Sequence, residues 1–103
     1  MGGPGGVAPN PEELFAAGYA ACFHGALKAV ARAQKVDVTD TAVTVDVGIG
    51  PNGQGGFQLA VTIEVELPSV DETVARSLLE GAHQVCPYSN ATRGNIEVTL
   101  NLA

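Results

Sequence analysis

The fold is decided by residues 10–35, NPEELFAAGYAACFHGALKAVARAQK, which predict one long helix. Asn10 is a favoured N-cap residue, Pro11 suits the first helical position, and Glu13 places an acid in the first turn. From this start the helix should run to about Lys35.

The same stretch is long and mostly apolar between Leu14 and Ala33, so it also has the length of a membrane span. However, His24, Lys28 and Arg32 follow one another at helical spacing, which places all three on one face of the helix. A polar stripe on an apolar helix is typical of a core helix in a soluble protein. The sequence therefore predicts a buried helix and no membrane partner.

Two segments after this helix predict a β-hairpin. Apolar residues alternate with polar or small residues over 43–49 and again over 57–67. The intervening GPNGQGG at 50–56 is rich in turn residues. Alternation of this kind places one face of each strand against a core.

The second half of the chain predicts a helix, a short helical turn and a last strand. Ser69-Val70-Asp71-Glu72 has the form of a capping box, and apolar residues continue at helical spacing until Pro87 ends the helix. A helical turn should follow through Arg93, and Ile96 begins the alternation of a strand. The order helix, hairpin, helix, strand predicts a single α+β domain over residues 1–103 with a mostly antiparallel sheet.

Composition and charge exclude several classes of partner. The chain has 103 residues, 46% of them hydrophobic, which fits one domain with its own core. Its net charge is −6 with only five Lys and Arg residues, so it lacks the basic surface that nucleic acid or an anionic membrane requires. Met1 is followed by GGPGG, which is not a secretory signal, so we expect a cytoplasmic protein with reduced thiols.

The predicted elements leave the first helix poorly covered. Three strands and two helices offer little surface to a helix that is apolar over most of its length. We therefore expect either that the chain dimerises or that further structure precedes Met1.

Cys22 and Cys86 are the only cysteines, and three interpretations are open for them. They could fill core space, as free cysteines most often do. They could bind a metal together with His24 and His83. Against this, Cys22 and His24 are two residues apart on a helix and point to nearly opposite sides.

The third interpretation is a pair of redox-active thiols. Cys86 precedes Pro87, where a new helical turn would begin, and the backbone N–H groups there favour a thiolate. Cys22 lies among apolar residues in the middle of a helix, where burial would raise its pKa. Under this interpretation Cys22 needs an activating group.

Two segments of the sequence resemble a known family. NPEELFAAGYAACF at 10–23 and AHQVCPYSNATRGNI at 82–96 are similar to the two signature segments of the organic hydroperoxide resistance family, the Ohr branch of the Ohr/OsmC superfamily. The spacing of the two cysteines also matches, and the Val-Cys-Pro-Tyr-Ser form favours the Ohr branch over the OsmC branch. The resemblance covers essentially all of residues 2–103.

The resemblance implies an intertwined homodimer and a thiol peroxidase that reduces organic and lipid hydroperoxides in oxidative stress defence, without a cofactor or metal. Cys22 would be the peroxidatic cysteine, and Cys86 the resolving cysteine that closes a disulfide with it. Glu12 matches the glutamate that holds an arginine over the reactive thiol. A dithiol on a lipoylated protein would be the reductant. The resemblance assigns no chemical role to His24 or His83.

One departure from the family bears on activity. The resemblance implies further N-terminal β-strands ahead of GGPGG, with the catalytic arginine among them. Arg32, Arg76 and Arg93 do not match that arginine, and Arg93 is interpreted as structural. We therefore expect a chain that is N-terminally truncated relative to the family, an unpaired Glu12 beside Cys22, and weak peroxidase activity.

Two alternatives to a peroxidase stay open at this point. One is a non-catalytic Ohr-like dimer that binds a hydrophobic ligand in the same pocket. The other is a metal-binding domain.

Overall fold

The computed structural model describes residues 10–103, and its first element is a long helix, α1 (Pro11–Ala33). The helix begins as predicted, since the Asn10 side chain accepts a 2.8 Å hydrogen bond from the backbone N–H of Glu13. It ends two residues before the predicted Lys35. There Lys35 takes a left-handed backbone conformation with a φ of 59°, and the two hydrogen bonds of a Schellman motif close the helix end. The prediction about GGPGG lies outside the described residues.

Three strands form one sheet in the order β1 (Ala42–Pro51), β2 (Phe57–Glu66) and β3 (Val98–Leu102). β1 and β2 form the predicted antiparallel hairpin along their whole length. β3 pairs with β2 in parallel, in a register that sets Val98 opposite Val61. The sheet is mostly antiparallel, as predicted, because the antiparallel strands have 10 residues each and the parallel strand has only 5.

Two helices connect β2 to β3, namely α2 (Glu72–Val85) and α3 (Pro87–Thr92). Their presence explains the parallel pairing, because neighbouring parallel strands need a long crossover connection. The prediction that Ser69 caps α2 is wrong. Asp71 is the N-cap, and its side chain accepts a 3.0 Å hydrogen bond from the N–H of Val74. The Ser69 hydroxyl instead accepts from the N–H of Thr39.

The core lies between α1, the sheet and α2. Tyr19, Phe23 and Leu27 of α1 have no exposed surface, and they belong to one buried cluster with side chains of β2 and α2. By length and composition alone α1 could span a membrane. One face of α1 lies in the core, as predicted, although only 28% of its most apolar window is buried and Leu14 stays exposed.

Candidate active site

The structure brings the two cysteines together. The Sγ atoms of Cys22 and Cys86 are 3.0 Å apart, and both residues are free thiols. Cys22 lies in the middle of α1 and is half-buried, whereas Cys86 lies between α2 and α3 and has no exposed surface. Of the two cysteines, Cys22 is therefore the more exposed to solvent.

The junction between α2 and α3 sets the direction of Cys86. Pro87 begins α3 and disfavours a helical conformation in the residue before it, and Cys86 accordingly has φ −62° and ψ 122°. The ring of Tyr88 then lies across α1, where Gly18 leaves room for it. A Cβ atom at Gly18 would be only 2.8 Å from the Tyr88 hydroxyl. Gly18 precedes Cys22 by one helical turn, so this close approach seats α3 beside the Cys22 thiol.

The surroundings of Cys22 disfavour its thiolate. Burial raises the pKa of Cys22, and the neighbouring Cys86 sulfur raises it further, first through its hydrogen bond with Cys22 and then through the repulsion between two sulfur anions. The backbone N–H of Tyr88 acts in the opposite direction, since it donates to the Cys22 sulfur. No cation within residues 10–103 contributes to lowering this pKa. The need of Cys22 for an activating group stays a prediction of the redox interpretation.

Glu12 lies far from Cys22 along the helix of its own chain, so its predicted place beside that thiol stays a prediction. Both residues belong to α1, and ten residues of α-helix span about 15 Å along the axis. Glu12 is half-exposed in the first helical turn, where it lines a groove together with Glu13 and Asp46. It is not among the groups that shift the pKa of Cys22.

The two histidines make separate hydrogen bonds. His24 Nε2 is 2.7 Å from the Thr41 hydroxyl, and His83 Nδ1 is 2.8 Å from the Ser89 hydroxyl. Burial lowers the pKa of both histidines, and a nearby cation lowers each further: Lys28 for the first and Arg93 for the second. Within residues 10–103, no group of three or more His, Cys, Asp or Glu side chains is arranged to hold a metal ion. The geometry gives no support to the four-ligand interpretation.

Arg93 makes structural contacts, as predicted from its place after the second signature segment. Its guanidinium donates to the backbone carbonyl of His83 and, at 2.7 Å, to the side-chain oxygen of Asn90. Arg76 pairs with Glu72 on the exposed face of α2 at 3.2 Å. These contacts hold the helices in place and leave the Cys22 sulfur without a cationic partner from either arginine.

Three buried hydroxyls beside the cysteines were not predicted from the sequence. The Tyr19 hydroxyl is 2.8 Å from that of Ser89 and 3.1 Å from that of Thr92. Tyr19 precedes Cys22 by three residues, and Ser89 follows Cys86 by three. The sequence contained one signal for this group, because each cysteine has a hydroxyl-bearing residue one helical turn away.

The fold and the paired thiols define a class, an α+β domain with two neighbouring free cysteines on adjoining helices. A family model described as OsmC-like protein matches residues 3–101. The chain is 53% identical over 104 residues to the organic hydroperoxide resistance protein of Xanthomonas axonopodis pv. citri, covering all of this chain and 72% of the relative. It is 46% identical to the organic hydroperoxide resistance protein OhrB of Bacillus subtilis, covering 95% of this chain and 72% of OhrB.

A crystal structure of an organic hydroperoxide resistance protein from Elizabethkingia anophelis superimposes with a TM-score of 0.92 at 52% identity, covering 99% of this chain and 73% of that one. The chain belongs to the OsmC-like family and, within it, to the organic hydroperoxide resistance proteins. The resemblance carried by the two signature segments is thereby confirmed.

Proposed function

We propose that the chain is a thiol-dependent peroxidase that reduces organic and lipid hydroperoxides to alcohols and so acts in oxidative stress defence. The observation that carries this proposal is the 3.0 Å separation of two free sulfur atoms, one half-buried and one fully buried. The names of the relatives support the substrate class, since they are organic hydroperoxide resistance proteins.

The chemistry would proceed in two balanced steps. The Cys22 thiolate attacks the O–O bond of the hydroperoxide, the alkoxide leaves and takes up a proton to become the alcohol, and Cys22 becomes a sulfenic acid. The Cys86 thiol then displaces water from that sulfenic acid and closes a disulfide. Two electrons pass from the two thiols to the peroxide. An external dithiol, for which the resemblance implies a dihydrolipoyl group on a lipoylated protein, returns the disulfide to two thiols.

The different exposure of the two cysteines supports this order of reaction. A peroxide must reach the first thiol directly, and Cys22 is the more accessible of the two. Cys86 is fully buried, so it meets only a group that is already attached to Cys22. The resolving thiol does not need to be accessible to solvent, because it reacts with the Cys22 sulfur atom that it already contacts.

A cavity of mixed polarity supports an organic substrate. It has a volume of about 590 Å³; Phe15, Phe57, Leu59 and Ile96 line its apolar part, and Asn52, Gln54, Gln58 and Asn95 line its polar part. Phe15 also packs against the ring of Tyr88, with ring centroids 5.8 Å apart. An alkyl chain in this cavity would contact the same aromatic group that adjoins the cysteines.

The cavity also favours a second candidate function, the binding of a hydrophobic ligand without catalysis. A turnover assay with an alkyl or fatty-acid hydroperoxide and dihydrolipoamide separates the two. Repeated turnover supports the peroxidase, and saturable binding of the alcohol without turnover supports the ligand-binding protein.

The expected test of the peroxidase is closure of the disulfide. One equivalent of an organic hydroperoxide should consume both thiols and produce an intramolecular link between Cys22 and Cys86, because the two sulfur atoms already lie in contact. Peptide mapping by mass spectrometry detects the link. Over-oxidised Cys22 together with a free Cys86 thiol would contradict the resolving role.

We further propose that the active form is a homodimer. Glu12 is too far along α1 to reach Cys22 of its own chain, so it can act on that thiol only across an interface or through a long cation that bridges the gap. The resemblance implies active sites at a subunit interface, which meets the first condition. The shape agrees with a missing partner, because the radius of gyration is 14.9 Å and a globular domain of this size has about 13 Å.

Light scattering should give about twice the chain mass of 10.5 kDa at micromolar concentration. Leu14 is 60% exposed and Phe57 71% exposed, and β1 is an edge strand of the described sheet. A second copy of the chain could bury these apolar side chains and pair with this edge. An obligate interface of this kind buries on the order of 2,000 Å². A mass of 10.5 kDa under these conditions would contradict the dimer.

We also propose that residues 1–103 act as one domain in a reducing, cytoplasmic compartment. Both thiols must be reduced before each turnover, and such a compartment supplies reduced dithiols. Fractionation of cells that produce the chain, followed by trapping of its thiols with an alkylating agent, tests this placement.

A further inference from the structure

Four hydrogen bonds form a connected group beside Cys86. Ser89 is fully buried in the first turn of α3, and its hydroxyl contacts His83 Nδ1 at 2.8 Å and the Tyr19 hydroxyl at 2.8 Å. The Tyr19 hydroxyl also contacts the Thr92 hydroxyl at 3.1 Å. Thr92 in turn donates to the backbone carbonyl of Ser89 at 3.2 Å.

The number of protons fixes the direction of these bonds. A carbonyl oxygen can only accept, so the single hydroxyl proton of Thr92 goes to the Ser89 carbonyl. The bond between Tyr19 and Thr92 must then use the Tyr19 proton, and the bond between Ser89 and Tyr19 must use the Ser89 proton. No hydroxyl proton is left for the bond to His83. All four bonds therefore exist together only if His83 carries its proton on Nδ1 and donates it to Ser89.

The opposite tautomer breaks this group. If His83 carried its proton on Nε2, the Ser89 hydroxyl would donate to Nδ1, and Tyr19 would have to donate to Ser89. Thr92 would then have to donate to Tyr19 and would leave the Ser89 carbonyl. One of the four contacts would be lost, and the Ser89 carbonyl would then accept only the backbone N–H of Arg93, at 2.9 Å.

We propose that His83 is a positioning residue for Cys86: as the Nδ1–H tautomer it begins one directed chain of hydrogen bonds, through Ser89 and Tyr19 to Thr92, which holds the Cys86 thiol against Cys22. These hydrogen bonds join α1 to α3 close to the two thiols. Ser89 lies one turn after Cys86, and Tyr19 lies one turn before Cys22 on α1.

The other side-chain contacts of this turn are the packing of Tyr88 against Gly18 and the hydrogen bond from Arg93 to Asn90. α3 has only 6 residues, and Cys86, its N-cap, makes no side-chain capping bond. The guanidinium of Arg93 fixes the backbone of His83 by donating to its carbonyl. The imidazole ring then transmits that fixed position to Ser89.

The tautomer can be measured on the unmodified protein. We expect a long-range proton–nitrogen NMR spectrum of histidine-labelled protein at about pH 8, where the ring is neutral because its pKa is lowered, to show the His83 proton on Nδ1. A His83 proton on Nε2 would overturn the proposal. This measurement does not depend on peroxidase activity.

The positioning role is tested by the rate of disulfide closure. His83→Asn retains an N–H near the place of Nδ1, whereas His83→Gln moves its N–H to the place of Nε2. We expect His83→Gln and Tyr19→Phe to slow closure about tenfold, and His83→Asn to stay within about twofold of the unmodified chain. Equal closure rates for the Asn and Gln variants would overturn the proposal.

The role given to Cys86 rests on the proposed function, so closure is driven in two ways. Diamide takes up two electrons and two protons as two thiols become a disulfide, and it needs no peroxidase activity. An organic hydroperoxide is used in parallel. Closure with diamide alone would refute the peroxidase and leave the positioning role intact. His24→Gln, which can keep the contact with Thr41, is the matched control and should change closure by less than about twofold.

Discussion

Replacing Cys22 by serine is expected to lower hydroperoxide consumption at least about a thousandfold, a loss of roughly 4 kcal/mol in the barrier. A serine hydroxyl remains protonated at neutral pH and is a weak nucleophile without a general base, whereas a thiol supplies some thiolate. Cys86→Ser should instead consume one equivalent of peroxide per chain and then stop, because Cys22 can still be oxidised but cannot close a disulfide. Stopped-flow measurement of peroxide loss distinguishes a single burst from no reaction.

The two variants serve as controls for each other. Both change a sulfur atom to an oxygen atom, and circular dichroism should show the same helix content in both. If Cys86→Ser abolished the burst and Cys22→Ser kept it, the order of the two thiols would be reversed. If both variants turned over at the unmodified rate, the peroxide would react elsewhere and the proposed function would be wrong.

Local signals in the sequence predicted most of the helices and strands. The start of α1 at Asn10 and the hairpin turn were readable because capping and turn formation depend on neighbouring residues. The parallel pairing of β3 was not readable, since alternation gives the faces of a strand and says nothing of its direction. Ser69 and Asp71 are both good caps two positions apart, and the spacing alone did not show which one the helix uses.

The candidate site was predicted unevenly, for physical reasons. The contact between Cys22 and Cys86 joins the middle of one helix to the junction of two others, so no local pattern encodes it, and its prediction came from the family resemblance. The hydrogen bond between Tyr19 and Ser89 spans 70 positions and was missed for the same reason. The ten residues of predicted helix between Glu12 and Cys22 already indicate a separation of about 15 Å, so an action of Glu12 on this thiol requires a second chain or a bridging cation.

The second large effect concerns pH. Hydroperoxide consumption by the 103-residue chain is expected to rise about tenfold per pH unit from pH 7 to at least about pH 8.5. The thiolate is the reactive form, and burial together with the Cys86 sulfur raises the pKa of Cys22 above its ordinary value. Below that pKa each added pH unit gives ten times more thiolate, so the rate rises with pH and does not fall. Initial rates in buffers of constant ionic strength measure the slope, and Cys22→Ser gives the blank.

An added cation should remove most of this slope. We propose a chimera that joins the arginine-bearing N-terminal strands of an Ohr relative ahead of Gly2, because a guanidinium near Cys22 favours its thiolate and lowers its pKa. The chimera should react at least about a hundredfold faster near pH 7, a gain of roughly 2.7 kcal/mol, with a flatter profile. Replacing the introduced arginine by methionine keeps the added strands and should restore the slow, steep profile. If the 103-residue chain already showed a flat profile, a cation of its own would be activating Cys22, and Arg93 would be the residue to replace next.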